Sequence, residues 1–299
     1  MRKKYLPFVF LFLIFLLVII FINISPTTFN KKPSYLLNNQ FIETDPFFEK
    51  KLFYDGVKRS EKSKISIRGE IFGGVVPHHL LPSFIIADFF NILSKNPLKT
   101  IILIGPNHFE KGKEKALTGS YPFKTPFGIT YINNKIVNQL VDSKIAVINN
   151  EVLKNEHSIC GLIPFIKYYL PNTSVVPLIL SSSVNLKEAE KISEILKEYI
   201  NNKEAIIVSS VDFSHYLINE EAKKRDKTTI DIIKKWDYKS LFNLNNDYLD
   251  SPPSLAILLL TMKKIGVNNI VVLNNTNSGE IAKNNTIETT SYFSIMFSK

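Results

Sequence analysis

The sequence has a single cysteine, Cys160, among 299 residues. One thiol cannot form an intramolecular disulfide framework, and it does not distinguish between cellular compartments. The chain also lacks the two common nucleotide-binding stretches, G-x-x-x-x-G-K-[ST] and G-x-G-x-x-G. Zinc-finger spacing, RNP patterns and densely basic helices are missing as well, so nucleic-acid binding is not expected. The formal charge of +10 comes from scattered lysines, which favours a solvated basic surface.

What the sequence does have is a long apolar run near its N-terminus. Basic residues at positions 2–4 precede an uncharged segment over residues 6–25, which is long enough to cross a bilayer as a helix. Because the positive charge lies on one flank, the pattern predicts a cytoplasmic N-terminus and an external remainder. A cleaved signal peptide is the alternative, but its apolar region is usually shorter and no A-x-A-like site follows this one. We therefore expect a basic cytoplasmic end over residues 1–5, a single-pass signal anchor in the cell membrane and a juxtamembrane spacer over residues 26–65.

Residues 66–299 alternate between apolar strand-like segments and helix-like segments. The clearest helix is predicted over residues 185–201, where apolar side chains form one stripe. Pro252 and Pro253 are expected to open a later helix that Gly266 ends. This alternation predicts an α/β fold: one three-layer domain whose central sheet, mostly parallel or mixed, is covered by helices on both faces.

Histidine is scarce, with five in the chain, and each one falls where a predicted strand ends or a helix begins. His78 and His79 follow "GGVVP", His108 follows "TIILIGPN", His157 begins a helix and His215 follows "AIIVSSVDFS". Open α/β sheets bind ligands at the carboxyl ends of their strands, and neutral imidazole is the commonest side-chain metal ligand. One such histidine is more often a structural hydrogen-bonding group, but their joint placement favours a metal site.

A pair of histidines needs an anionic partner to complete a triad with open coordination positions. Asp212 lies three residues before His215, so the two could hydrogen-bond within one loop and fix a tautomer. Asp250 precedes a helix, where a carboxylate is also a candidate N-cap. Glu156, beside His157, could orient a histidine or favour the helix N-terminus.

Four motifs, in order along the chain, resemble those of a known family. The stretches "VVPHH", "LIGPNHF", "NEHSICGLIPFI" and "SSVDFSHY" are similar to the successive signatures of the Memo-like family, called AmmeMemoRadiSam system protein B in bacteria and archaea. The resemblance spans about residues 66–297 and implies a fold similar to the class III extradiol ring-cleaving dioxygenases. It also implies a metal site of two histidines and a third ligand, which fall here on His78, His108 and Asp250.

The third ligand of the family is a cysteine, and Asp250 in "DSPPSLA" stands at its place. The resemblance therefore implies a two-histidine, one-carboxylate set that suits Fe(II), with Cu or Zn as alternatives. It further implies that His215, Asp212 and His157 are catalytic residues that line the pocket, with His215 as the candidate for handling protons.

Four further residues carry smaller expectations. His79 stands where the family pattern has alanine, and we expect it to face away from the metal. Cys160 is expected to pack in the core. Gly105 and Pro106 are expected to end their strand, glycine by allowing an unusual backbone and proline by blocking the ladder, so that His108 points into a pocket.

Three functions remain open from the sequence. The first is a membrane-anchored, non-haem iron oxidoreductase of dioxygenase type that acts on a small-molecule substrate. The second is a non-catalytic module that binds a metal or ligand, and the third is a metal-dependent hydrolase, since a metal-bound water can be activated near neutral pH. The expected partner is the bilayer, through residues 6–25. The family name also implies radical SAM and AMMECR-type partners, but an exported domain would lie across the membrane from a cytosolic enzyme.

Overall fold

The computed structural model describes residues 40–96, 98–284 and 286–299. In chain order, the helices are α1 (Lys50–Ser60), α2 (Ser83–Leu93), α3 (Asn134–Asp142), α4 (Asn150–Leu153), α5 (His157–Cys160), α6 (Ile163–Tyr169), α7 (Leu186–Asn201), α8 (Asn219–Lys235), α9 (Tyr238–Phe242), α10 (Pro252–Lys264) and α11 (Ser278–Ala282), with one 3-10 turn at Asp45–Phe47. The strands are β1 (Ile42–Glu43), β2 (Ile71–Val76), β3 (Thr100–Pro106), β4 (Ala116–Thr118), β5 (Phe123–Thr125), β6 (Gly128–Thr130), β7 (Val147–Ile148), β8 (Ser174–Leu180), β9 (Ile206–Ser210), β10 (Asn269–Asn277) and β11 (Ser291–Ser298).

Within these residues, eight strands form one mixed sheet in the order β10-β11-β2-β9-β3-β8-β4-β7, and β1, β5 and β6 form a second, small sheet. The neighbours β2 and β9, β9 and β3, and β3 and β8 run parallel. The carboxyl ends of these four strands therefore meet at one edge of the sheet, where ligands bind in such folds. Central parallel strands are buried on both faces and read as continuous apolar runs, and β3 is buried at every position.

Helices cover the large sheet on both faces. Successive residues of a strand point to opposite faces, and a side chain at Gly73 in β2 would meet Leu258 and Met262 of α10. A side chain at the next residue, Gly74, would meet Phe89 of α2. The helices α10 and α2 thus lie on opposite sides of β2, and the mixed α/β architecture fits the sequence prediction.

The membrane part of the predicted fold class needs correction. No helix in the described ranges reaches the length and apolarity that a bilayer crossing requires. The span predicted over residues 6–25 lies outside the described residues, as does the cytoplasmic end over residues 1–5. The fold class is therefore corrected to a mixed α/β domain with two sheets, and the predicted location in the cell membrane is withdrawn with the span.

The predicted spacer over residues 26–65 is also corrected where the structure describes it. Strand β1 pairs in parallel with β5, and α1 packs against α2. A side chain at Gly56 of α1 would lie 2.7 Å from the main chain of Ser83, so glycine lets the two helices approach closely. The packed domain therefore includes residues ahead of position 66, because their apolar side chains, such as Phe53, are buried in its core.

Candidate metal centre

The candidate site lies at the carboxyl edge of the parallel strands. His78 follows β2, His108 follows β3, Asp212 follows β9, and Asp250 lies just before α10. His157 is the first residue of α5. The ring centroids of His78 and His108 are 5.0 Å apart, and that of His157 lies 5.1 Å from the first and 4.1 Å from the second. The structure thus brings together three imidazoles from distant parts of the chain.

His78 is held with one ring nitrogen facing the other site residues. Its Nδ1 lies 3.0 Å from Ser210 Oγ, and the Ser210 hydroxyl donates to the main-chain oxygen of Ser158 at 2.6 Å. Because that hydroxyl proton is already used, the hydrogen-bond network assigns the ring proton to Nδ1 and the lone pair to Nε2. Burial, followed by the neighbouring His108, lowers the pKa of His78 well below its usual value. The ring is therefore neutral, which is the form that binds a metal ion.

Glu156 orients His108. Its Oε1 lies 2.7 Å from His108 Nδ1, and its Oε2 accepts the main-chain N–H of the same residue at 2.9 Å. Burial lowers the pKa of His108, but the nearby carboxylates of Asp250 and Glu156 outweigh burial and raise that pKa to about 10. The two carboxylates therefore favour a positive charge at His108. A carboxylate on the far nitrogen of a histidine is the arrangement that fixes metal-ligating imidazoles.

The sequence left two roles open for Glu156, and the structure shows both. Glu156 does cap a helix, since its side chain accepts the N–H of Ser158 at the start of α5. Its Oε1 also lies 3.4 Å from His157 Nδ1, but the two shortest contacts of the Glu156 carboxylate are both with His108. Burial raises the pKa of Glu156, yet the His108 hydrogen bond outweighs it and holds that pKa at about 2. Glu156 thus orients a histidine, as the sequence allowed, and that histidine is His108. Ser210 is an orienting residue that sequence reasoning missed, because it acts on a histidine far away in the chain.

Glu156→Gln is expected to weaken metal binding by about 10- to 100-fold, the usual effect of removing the carboxylate that orients a ligating histidine. The amide keeps the size of the side chain but cannot accept both His108 N–H groups with two anionic oxygens. Metal titration with a competing chelator measures the change. The control is Glu151→Gln on α4, an exposed carboxylate that pairs with Lys154 away from the histidines. Equal affinities for the two variants would contradict the orienting role.

Asp250 stands between two of the histidines. Its Oδ2 lies 3.3 Å from His78 Nε2 and 3.7 Å from His108 Nε2. Its Oδ1 is buried and has no hydrogen-bond partner within the part of the chain that the structure describes. Burial is the main reason that the pKa of Asp250 is raised to about 7. The N-cap of α10 is Ser251, so the capping alternative for Asp250 is wrong, and its carboxylate faces the histidines instead.

These donor atoms fit a divalent metal ion. Two ligands about 2.1 Å from one ion are about 3.0 to 3.4 Å apart at octahedral or tetrahedral angles, close to the 3.3 Å between His78 Nε2 and Asp250 Oδ2. Among the described residues, two sets have ligand atoms that all lie within 4.8 Å of one another: His78, His108 and His157, and His78, Asp212 and Asp250. Either set could therefore hold a metal ion; His78 belongs to both, His108 to the first and Asp250 to the second.

Asp212 and His215 are placed differently from the predicted loop pair. Asp212 Oδ1 accepts the main-chain N–H of His78 at 3.1 Å. Nδ1 of His215 is buried without a hydrogen-bond partner in the described ranges, so no bond to Asp212 is made through that nitrogen. The ring still lies near enough to Asp212 and His108 for their charges to affect its pKa, which burial lowers. Asp212 therefore contacts His78 within the cluster, and His215 lies beside the cluster.

His79 and Cys160 remain outside the cluster. His79 is exposed, and its Nδ1 lies 2.5 Å from the hydroxyl of the buried Tyr292 in β11. Cys160 is fully buried, and burial raises the pKa of its thiol. Neither belongs to a set of converging ligand atoms among the described residues.

Gly105 has a different role from the one predicted. Strand β3 runs through Gly105, which pairs with Ile179 of β8, and ends at Pro106, so the predicted strand end is confirmed for Pro106 and wrong for Gly105. A side chain at Gly105 would lie 2.6 Å from Ser158 Oγ and 2.9 Å from its Cβ. Glycine is required here because α5, which begins with His157, packs directly on the strand.

Gly105→Ala is expected to destabilise the protein by about 1–3 kcal/mol, the usual cost of overpacking a core. The added methyl group must displace Ser158, whose main-chain oxygen accepts the Ser210 hydroxyl. Denaturant unfolding measures the loss. In the Gly105→Ala background, Ser158→Gly is expected to recover part of it, because that change removes the contacted side chain. An unchanged unfolding midpoint in Gly105→Ala would contradict this packing argument.

Known proteins resemble this chain in sequence and fold. A family model described as Memo-like protein matches residues 55–296. A MEMO1 family protein of Pyrobaculum aerophilum is 27% identical over 242 residues, which cover 77% of this chain and 84% of the relative. One of Thermoplasma volcanium is 29% identical over 212 residues, which cover 69% and 77%. The crystal structure of an uncharacterised Escherichia coli K12 protein has a TM-score of 0.52 at 10% identity, covering 75% of this chain and 99% of that one; this likeness concerns the fold alone.

Proposed function

The chain belongs to the Memo-like protein family, and from this premise and the site geometry we propose that it binds a divalent metal ion, Fe(II), and acts as a non-haem iron oxidoreductase. The proposed ligands are His78 Nε2, His108 Nε2 and the carboxylate of Asp250. One observation carries the proposal: the Asp250 carboxylate lies between two imidazoles, with one oxygen 3.3 Å from His78 Nε2 and the other oxygen without a hydrogen-bond partner among the described residues.

The donor set supports iron as the metal. Two histidines and one carboxylate form the facial set that non-haem Fe(II) oxygenases use, whereas thiolates favour softer ions such as Cu(I). A ferrous ion held in this way would supply one-electron chemistry and open coordination positions. The protein fixes the ligands in advance, since Ser210 sets the tautomer of His78 and Glu156 sets the orientation of His108.

The surroundings of the cluster support access by a small molecule. The side chain of His108 is 24% exposed and that of His157 is 41% exposed, so a substrate can approach from this side. In the proposed function, His157 contacts the substrate there. Nδ1 of His215, which has no hydrogen-bond partner in the described part of the chain, is available for a hydrogen bond with the substrate. Asp212 keeps the loop of His78 in place by accepting the main-chain N–H of His78.

Metal analysis and oxygen uptake test the proposal. We expect the full-length chain, purified without added chelator and reloaded anaerobically with Fe(II), to bind about one iron per chain and to consume dioxygen with a member of a small-molecule panel. Tight metal binding with no turnover across the panel would instead favour a non-catalytic binding module. Failure to bind Fe(II), Cu or Zn would overturn the proposal.

A further inference from the structure

We propose that Asp212 is a further protein ligand of this metal ion, so that the centre has two imidazoles and two carboxylates. The inference rests on the proposed function, because it concerns the same ion. It assigns to Asp212 Oδ2 a direct contact with the ion, in addition to the hydrogen bond that its other oxygen makes with the main chain.

The two oxygens of Asp212 have different surroundings. Oδ1 accepts the main-chain N–H of His78 at 3.1 Å, which fixes the plane of the carboxylate. Oδ2 is turned toward the ring of the same histidine and lies 3.7 Å from its Nε2. The side chain is 5% exposed, so water does not readily solvate this second oxygen. Oδ2 therefore lies in the cluster and not at the surface.

Three acceptors face one another in the cluster. Nε2 of His78 carries a lone pair, because its Nδ1 is the donor to Ser210. Asp250 Oδ2 lies 3.3 Å from His78 Nε2, and Asp212 Oδ2 lies 3.7 Å from the same nitrogen. Atoms that all carry lone pairs repel one another at such distances in a buried site, and a shared cation removes the repulsion. The arrangement is thus complementary to an ion that contacts all three atoms.

Charge supports the same assignment. The chain has 37 lysines and arginines, yet within the described ranges the ion-pair contacts of Asp212 and Asp250 involve histidine alone. Glu156, the third carboxylate beside the histidines, is already satisfied by N–H groups of His108 and Ser158. Asp212 and Asp250 together carry the two negative charges that one divalent ion balances.

Two backbone hydrogen bonds hold the two carboxylates side by side. The N–H of Asp212 donates to Asp250 Oδ2 at 3.2 Å, and the N–H of Asp250 donates to the main-chain oxygen of Asp212 at 3.1 Å. The loops after β9 and before α10 are thus tied to each other at the cluster. The pairing places Asp212 beside Asp250 whichever ion is bound, and hard carboxylate oxygens favour Fe(II) or Mn(II) over Cu(I).

Asp212→Asn separates ligation from positioning. The amide oxygen can still accept the His78 N–H, whereas the anionic Oδ2 is lost. Using the full-length chain with Mn(II) and Co(II) as probes, we expect the Mn(II) dissociation constant to rise by about 100-fold and the visible absorption bands of bound Co(II) to shift. The matched control is Asp226→Asn, another buried aspartate, whose carboxylate is bonded by Ser214 and Asn275 away from the cluster; its affinity and spectrum are expected to match the wild type.

The outcomes distinguish the two proposals. Co(II) bands of Asp212→Asn that coincide with those of the wild type would overturn the assignment of Asp212, even if the affinity fell, and would leave the proposed function standing. A wild-type chain that binds neither probe would overturn both. Should Asp212→Asn fail to fold, the infrared difference spectrum of the wild type on Mn(II) loading decides: shifts of two carboxylate groups are expected, and a shift of one alone would reject the inference.

Discussion

His108→Ala is expected to lower the bound metal from about one ion per chain to nearly none. The imidazole has two links to the cluster, because its Nδ1 pairs with Glu156 at 2.7 Å and its Nε2 faces Asp250 at 3.7 Å. Alanine removes a ligand and leaves the buried Glu156 without its main partner, and breaking such a pair costs about 3–5 kcal/mol. Elemental analysis of the wild type and the variant, reloaded with Fe(II) under the same anaerobic conditions, measures the difference.

The matched control for this prediction is His79→Ala. That residue is also a histidine at the exit of a parallel strand, but its ring nitrogen contacts Tyr292 and it does not belong to the converging ligands. We expect His79→Ala to keep its full metal content. If His108→Ala and the wild type carried equal metal, the assignment of the site to this cluster would be wrong.

Removal of the metal is expected to lower the free energy of unfolding by about 4 kcal/mol, relative to protein held in free metal at about 1,000 times the dissociation constant. The physical reason is that the folded chain binds the ion with ligands from three separate segments, whereas the unfolded chain presents no assembled site. The buried Asp212 and Asp250 also lose the cation that offsets their charge. Denaturant unfolding with and without a chelator measures the change.

This second prediction has its own control. His108→Ala lacks a ligand and is expected to unfold at the same denaturant concentration whether or not the chelator is present. A wild-type unfolding curve that is equally insensitive to the chelator would show that the ion adds nothing to stability, contrary to the expectation for a buried site assembled by folding.

Much of the candidate site could be predicted because its signals are local. Apolar runs mark the parallel strands, and His78 and His108 follow β2 and β3 within a few residues. Strands that run parallel place their carboxyl ends at one edge, so residues that follow them meet whatever the details of packing. The role of Asp250 was harder to predict from sequence, because a carboxylate just before a helix is also a candidate N-cap. In the structure Ser251 is the N-cap.

Other features depend on contacts that no local pattern records. The small sheet joins β1 to β5, strands that lie about eighty residues apart in the chain. The sequence predicts that Gly105 helps to end its strand, but glycine is required there because Ser158 packs against the strand and leaves no room for a side chain. The membrane location was inferred from the apolar run at residues 6–25, and no helix of the described residues can make such a crossing.

The sequence by itself determined the α/β class, the strand exits that carry histidine and the presence of carboxylates near them, because periodicity and strand ends are properties of short segments. Only the tertiary structure decided which group acts on which. Glu156 makes its shortest contact with His108 rather than with its neighbour His157. Asp212 accepts a hydrogen bond from the main chain of His78. The reason is that side-chain direction in loops is set by backbone hydrogen bonds between segments distant in sequence, such as the one from Asp250 to Asp212.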